Sequence, residues 1–81
     1  MVDYLEEIKK IIENQFGIPV DQIEDDSLLD QDLSITDLDL EDLMENIQNR
    51  YQIQIPENKV SSFKTVADIA SFITENADNP S

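Results

Sequence analysis

The 81-residue sequence contains no cysteine, no histidine and no tryptophan, and it has a single glycine. Without cysteine there is no disulfide framework and no thiolate metal site. Without histidine the chain lacks the commonest metal ligand and the usual general base near neutral pH. No nucleophile–base pair and no glycine-rich phosphate loop stands out, so the sequence argues against an enzyme and offers no catalytic residue.

Basic residues are also scarce, since five Lys and Arg residues oppose 19 Asp and Glu residues for a net charge of −14. Eleven of the acids lie between Asp21 and Glu45, a stretch without any base. Such a field repels nucleic acid and anionic lipid and favours encounter with a basic partner surface. The alternative interpretation is a solvated acidic face that only confers solubility.

Long hydrophobic runs are missing, because the apolar runs extend over a few residues and crossing a bilayer takes about 20. Acidic residues at positions 3, 6 and 7 do not fit a secretory signal. We therefore expect a cytoplasmic, monomeric protein with no membrane or nucleic-acid partner. The length predicts one domain over residues 1–76, followed by a flexible tail over residues 77–81.

Apolar residues recur at helical spacing near the N-terminus and predict a first helix over about residues 3–16. Gly17 and Pro19 follow it, and these residue types are typical of a helix end. The next segment, residues 17–36, has no helical pattern. Its many aliphatic side chains predict an ordered loop, with a short turn of helix around residues 20–24, rather than a free linker.

Further along the chain, periodicity and capping signals predict three more helices, over about residues 37–51, 57–62 and 65–75. Thr36 or Asp37 could cap the second helix. Pro56 suits the first position of the third, and Thr65 with Asp68 resembles a capping box before the last. The sequence therefore predicts an all-α bundle.

Two segments carry a family resemblance. The first is Asp32-Leu33-Ser34-Ile35-Thr36-Asp37-Leu38, and the second is Tyr51-Gln52-Ile53-Gln54-Ile55-Pro56, after an acidic helix. Their order and spacing resemble the acyl or peptidyl carrier protein family, whose motif is Asp-Leu-Gly-x-Asp-Ser-Leu, then an acidic helix, then Ile-x-Ile-Pro. The resemblance covers about residues 3–75. It implies a small four-helix bundle with a long loop between helices 1 and 2 and a short third helix.

The departures from that motif fall where the family's chemistry lies. Ser34 takes the place of the glycine, Thr36 that of the aspartate, and Asp37 that of the serine, which in the family holds a 4'-phosphopantetheine arm. Asp37 has no hydroxyl to attack coenzyme A, so no cofactor is expected on it. Three interpretations of Asp37 stay open: it caps the helix, it imitates the phosphate of a modified serine, or it was introduced to block modification.

Position by position, the resemblance also implies a partner-binding surface made of Leu38, Asp39, Asp42, Glu45, Ile55 and Glu57. The implied partners are basic surfaces on enzymes of acyl or polyketide metabolism, on which the chain would act as a docking or regulatory module. Leu29, Ile47, Ile55 and Phe63 match positions that line the acyl-chain cavity of the family. We interpret these four as ordinary core.

A calcium-binding EF-hand loop is the alternative hypothesis. Oxygen-bearing side chains occupy positions 1, 3, 5, 7 and 12 of such a loop, at Asp30, Asp32, Ser34, Thr36 and Glu41. Ile35, however, stands where the loop needs glycine, and Asp37 where it buries an apolar residue. We therefore nominate no specific metal site and keep an EF-hand-like protein using Asp30–Glu41 as the second candidate.

Overall fold

The computed structural model describes residues 3–77, which fold into four helices. These are α1 (Tyr4–Phe16), α2 (Asp37–Tyr51), α3 (Glu57–Val60) and α4 (Val66–Ala77). Between the described ends there is no strand, only a 3₁₀ turn at Val20–Gln22 and one isolated bridge between residues 28 and 65. The predicted four-helix architecture, with its long first loop and short third helix, is confirmed.

Two helix ends differ from the prediction. Helix α3 ends at Val60 rather than at residue 62, and α4 continues to Ala77 rather than ending at residue 75. The predicted tail therefore begins with a helical residue, and the rest of that tail, residues 78–81, lies outside the described residues. None of the helices in the described part is long and apolar enough to cross a membrane.

The ends of α1 follow the capping signals of the sequence. The Asp3 carboxylate accepts a hydrogen bond from the backbone N–H of Glu6 at 3.2 Å. At the other end Gly17 adopts the left-handed conformation, with φ of 76°, and its N–H donates to the carbonyl of Glu13. A residue without a Cβ adopts this conformation without strain, so the only glycine of the chain stands where the helix must close.

The core lies where the helices and the long loop meet. It consists of the following buried apolar side chains: Ile8, Ile11, Ile12, Ile23, Leu29, Leu33, Ile35, Leu43, Met44, Ile47, Ile55, Phe63, Val66, Ile69, Ala70 and Ile73. The loop of residues 17–36 contributes four of these. It is therefore an ordered cover over the end of the bundle, as its aliphatic content predicted, and not a free linker.

Backbone and side-chain bonds fasten this loop to the first and last helices. The N–H of Leu29 donates to the carbonyl of Lys64 at 2.9 Å, and the N–H of Ala67 donates to the carbonyl of Asp25 at the same distance. The Asp25 carboxylate also forms an ion pair with Lys9 of α1, with 2.9 Å between Oδ1 and Nζ. These contacts hold the loop in one position and so fix where α2 begins.

The predicted capping box at α4 is present. The Asp68 carboxylate accepts from the N–H groups of Lys64 at 2.8 Å and Thr65 at 3.0 Å, while Thr65 Oγ1 accepts from the N–H of Asp68 at 3.2 Å. The two backbone hydrogen bonds hold the pKa of Asp68 below its ordinary value. They favour the ionised carboxylate, because a carboxylate accepts these bonds better than the neutral acid does.

We expect this box to make stability depend on acidic pH. Because the folded-state pKa of Asp68 is lowered, its contribution is present above the ordinary carboxyl pKa and is lost as pH falls through the folded value. An Asp68→Ala variant should lose about 1 kcal/mol of unfolding free energy at about pH 7 and less at about pH 2.5. Urea unfolding at the two pH values measures this. A deficit of equal size at both would contradict it.

Candidate functional site

Helix α2 begins with a capping box that the structure assigns to Thr36. Its Oγ1 accepts from the N–H of Asp39 at 3.2 Å, and the Asp39 carboxylate accepts from the N–H of Thr36 at 3.4 Å. The backbone of Thr36 is extended, with ψ of 172°, whereas Asp37 is already the first helical residue. The interpretation of Asp37 as the N-cap is therefore wrong, because only the extended residue can direct its side chain at the N–H three positions on.

Asp37 is exposed at the first position of α2. Within the described part of the chain its carboxylate has no hydrogen bond and no ion pair. The next residue, Leu38, is 74% exposed, and no other large hydrophobic side chain among residues 3–77 is fully exposed. A free carboxylate and an unburied leucine thus stand side by side, and neither is engaged in holding the fold together.

Ser34 precedes this point in a left-handed backbone conformation, with φ of 57°. A residue with a Cβ is strained there by about 1–2 kcal/mol, and its side chain is exposed, so no buried contact compensates for the strain. The carrier motif has glycine at this place. The structure supplies the physical reason, since glycine adopts this conformation freely.

A Ser34→Gly variant is therefore expected to be more stable than the wild type, by about 0.5–1 kcal/mol after the extra flexibility of glycine in the unfolded chain is counted. Thermal and urea unfolding measure the change. The matched control is Ser71→Gly on the exposed side of α4, where replacing serine by glycine in a helix interior should lose about 0.5 kcal/mol. Loss of stability in both variants would show that Ser34 is unstrained.

A groove of about 670 Å³ runs between α2 and α3 from the start of α2. Its lining residues are Asp37, Leu40, Glu41, Met44, Glu45, Gln48, Ile55, Glu57, Val60 and Ser61. The four carboxylates among them are exposed and form a rim, while the aliphatic side chains and Met44 form the floor. No basic residue is among the lining side chains of this described groove. It is an apolar depression with an acidic rim.

The structure brings half of the predicted partner-binding residues to this groove. Glu45 and Glu57 lie on its rim, and Ile55, which is only 7% exposed, contributes to its floor. Leu38 and Asp42 are exposed on α2 outside the groove. The carboxylate of Asp39 is held in the capping box, so its negative charge faces the first turn of α2.

Sequence reasoning missed the part that Gln48 plays in this groove. Its side chain is half-buried, and its Oε1 accepts from the backbone N–H of Ile55 at 2.8 Å. The sequence alone assigned no role to this residue. The bond joins residues seven apart across an irregular link, and no local pattern indicates such a pairing.

At the far end of α2, Tyr51 closes the bundle against α1. Its hydroxyl donates to the Glu7 carboxylate, and its ring packs edge-on against Tyr4 with 5.5 Å between centroids. Partial burial and the bond to Glu7 raise the pKa of Tyr51 to about 12. The tyrosine is therefore neutral at physiological pH and serves as a structural contact.

The EF-hand alternative is not supported. Among residues 3–77, no group of three or more acidic side chains is arranged to hold a metal ion. Asp30 accepts from the N–H of Gln31 at 2.7 Å, and Asp32 accepts from the N–H of Leu28 at 2.8 Å. Thr36 caps α2, so three of the five candidate ligands are engaged by local backbone donors.

Comparison with known proteins agrees with this fold. A family model described as the phosphopantetheine attachment site matches residues 6–73. The acyl carrier protein of Brachyspira hyodysenteriae is 36% identical over 72 residues, which cover 88% of this chain and 92% of that protein. The acyl carrier protein of Helicobacter hepaticus is 25% identical over 75 residues, which cover 93% and 99%.

A solved structure of an acyl carrier protein from Enterococcus faecalis has the same arrangement of helices. It superposes with a TM-score of 0.76 at 23% identity, covering 90% of this chain and 92% of that one. At this level of identity the superposition speaks for the fold. Since the family model and a relative above 30% identity each extend over most of the sequence, the chain belongs to the acyl carrier protein family.

Proposed function

We propose that this protein is an acyl-carrier-type docking module that carries no phosphopantetheine arm. It docks through the acidic helix α2 on basic surfaces of enzymes of acyl or polyketide metabolism, as a cytoplasmic monomer made of one domain over residues 1–76. Like its carrier relatives it is not a catalyst. The observation on which the proposal rests is Asp37, the exposed first residue of α2, at the position that the carrier motif gives to the attachment serine.

The residues present do not fit the family's prosthetic group. Attachment requires a hydroxyl oxygen that attacks the pyrophosphate of coenzyme A, and a carboxylate would give at best a labile acyl phosphate. Two hydroxyls lie nearby. Thr36 Oγ1 is held by the N–H of Asp39, and Ser34 lies three residues before the first residue of the helix, in the left-handed conformation. Neither occupies position 37, the first helical residue, where the family resemblance places the start of the arm.

The charge of Asp37 nevertheless preserves one property of a modified carrier. The phosphodiester that links an arm to serine carries one negative charge at neutral pH, and so does a free carboxylate. The partial positive charge at the start of α2 stabilises either anion. We propose that Asp37 presents to partners the same negative charge as a modified carrier, but without the phosphopantetheine arm.

The remaining predicted contacts surround this point. Exposed acids on α2 and α3, among them Asp42, Glu45 and Glu57, form a negative field that Leu38 interrupts with an apolar side chain. Long-range attraction of this kind mainly raises the association rate with a basic partner and weakens as salt screens it. An apolar contact within a charged rim provides binding energy that salt does not remove.

A competition reaction tests both halves of the proposal. A phosphopantetheinyl transferase, coenzyme A and a serine-bearing acyl carrier protein are mixed with increasing amounts of the wild-type chain. The intact mass of the chain should not change, while modification of the serine-bearing carrier should slow, and added salt should relieve the inhibition.

Charge reversal provides the control for this reaction. Asp42→Lys together with Glu45→Lys should weaken the inhibition by about tenfold. Glu75→Lys with Glu13→Lys, which changes net charge equally on α4 and α1, should have little effect. Equal weakening by both pairs, or no inhibition by the wild type, would contradict docking through α2. A gain of one phosphopantetheine unit on the wild type would contradict the arm-free state.

A further inference from the structure

We propose that Gln48 is the positioning residue of the docking groove: it fixes the α3 wall, and with it the width of the groove that a basic partner meets. This inference rests on the proposed function. Gln48 belongs to α2, and its main-chain carbonyl and its side chain both accept hydrogen bonds from the link that joins α2 to α3. The partner is the carrier-docking surface of an enzyme, identified by its basic charge.

Hydrogen bonds to Gln48 hold the link between α2 and α3, residues 52–56, in place. The carbonyl of Gln48 accepts from the N–H of Gln52, which closes α2 in the left-handed conformation, and from the N–H of Ile53 at 3.2 Å. Its side-chain Oε1 accepts from the N–H of Ile55 at 2.8 Å. Three backbone donors of the link thus bond to one residue, two to its main-chain carbonyl and one to its side chain.

The hydrogen bond from the Ile55 N–H to the Gln48 side chain determines the position of the α3 side of the groove. Ile55 is 7% exposed, so its N–H has little access to water and depends on Gln48 for a partner. Pro56 follows it and leads into α3, which supplies Glu57 and Val60 to the groove. Releasing Ile55 would free the α3 side of the groove.

Helix α3 has little stability of its own to resist such a release. It spans four residues, and its N-cap, Pro56, makes no side-chain capping hydrogen bond. A single helical turn is unstable in isolation, because nucleation costs more than its few hydrogen bonds return. Its position is therefore set by the link that precedes it and by the partial burial of Val60 against the core.

Gln48 is the acceptor for the Ile55 N–H within the groove. It lines the groove together with the rim residues Glu45 and Glu57. The amide oxygen accepts a bond that a carboxylate oxygen at the same place can also accept. The bond is local to the groove, and no other residue among 3–77 accepts from the Ile55 N–H.

Two variants whose side chains are nearly the same size as glutamine separate the effect of the hydrogen bond from the effect of side-chain shape. Gln48→Met keeps the length of the side chain and removes the acceptor, whereas Gln48→Glu keeps an acceptor for the Ile55 N–H. In the competition reaction, Gln48→Met should raise the inhibition constant of the chain by about fivefold to tenfold, as expected for the loss of one hydrogen bond. Gln48→Glu should inhibit at least as well as the wild type.

Amide hydrogen exchange reports on positioning directly. In Gln48→Met the amides of Ile55 and Val60 should exchange about tenfold faster relative to those of α1, and in Gln48→Glu they should not. A third variant, Asp68→Ala, should lose a similar amount of stability to Gln48→Met, but at a distance from the groove. It should therefore leave the inhibition constant unchanged.

Each outcome of these experiments either supports or overturns the inference about Gln48. An unchanged inhibition constant in Gln48→Met overturns the inference, and so does equal weakening in Gln48→Met and Gln48→Glu, which would indicate that the partner contacts the amide itself. Equal weakening in Asp68→Ala would assign the effect to stability and overturn it too. If the wild-type chain does not inhibit at all, the proposed function fails. If it inhibits and Gln48→Met inhibits equally, only the inference about Gln48 fails.

Discussion

An Asp37→Ser variant, incubated with coenzyme A and a broad-specificity phosphopantetheinyl transferase, is expected to gain the mass of one phosphopantetheine unit, while the wild-type chain gains none. The change replaces a carboxylate with the one functional group that the reaction lacks. It occurs at an exposed position that has no hydrogen bond to lose within the described chain. The expected contrast is between no product and nearly complete conversion, the largest functional effect that a single substitution here should produce.

The fold should tolerate this substitution, which makes the result interpretable. The cap of α2 is made by Thr36 and Asp39 and does not involve the side chain of Asp37. Surface changes of this kind usually alter the free energy of unfolding by less than about 0.5 kcal/mol. Asp37→Ala is the matched control, since it removes the carboxylate and adds no hydroxyl. It should stay unmodified.

Peptide mapping then locates the added group. Modification of Asp37→Ser at residue 37 supports the assignment of this position as the equivalent of the attachment serine. Modification at Ser34 or Thr36 would contradict it, because the arm would then begin outside the first turn of α2. Failure of the variant to react would also count against it, since the transferase would then not recognise the surface that the acidic helix presents.

An Ile47→Ala variant is expected to lose about 3–4 kcal/mol of unfolding free energy, the largest effect on stability among our predictions. Ile47 is fully buried on the inward side of α2. Removing three carbons there leaves a cavity as well as lost apolar contact. A domain of this size has a total stability of about 5–10 kcal/mol, so the variant should approach its unfolding midpoint at modest urea concentrations.

Urea unfolding followed by far-ultraviolet circular dichroism measures this loss. The matched control is Asn49→Ala, on the exposed side of the same helix, where the change should stay within about 0.5 kcal/mol. A loss below about 1 kcal/mol for Ile47→Ala would show that the site collapses without a cavity. That would in turn favour a loose interior near Ile47 over the ordinary core that we infer.

Much of the fold could be predicted because short stretches of the sequence carry the signals for the helices and for their ends. The period of apolar residues predicted the three longer helices, Pro56 predicted the short third helix, and Gly17 and Pro56 marked boundaries that the structure confirms within one residue. The three-residue spacing of Thr65 and Asp68 predicted the capping box that the structure contains. Order in the long loop followed from its aliphatic content, because so many apolar side chains are not left in water.

Local signals failed where two residues compete or where distant segments meet. Thr36 and Asp37 both carry side chains that are able to accept a hydrogen bond, and only the backbone conformation decides that Thr36 is the cap. The groove depends on how α3 stands against α2, which the bond between Gln48 and Ile55 fixes and no spacing encodes. Family resemblance supplied the partner-binding residues instead, and these remain predictions.

The intact mass of the protein purified from its native host tests the central claim most directly. We expect the mass of the polypeptide alone, with no thiol reactivity, since the sequence has no cysteine. An added mass of one phosphopantetheine unit together with a titratable thiol would contradict it.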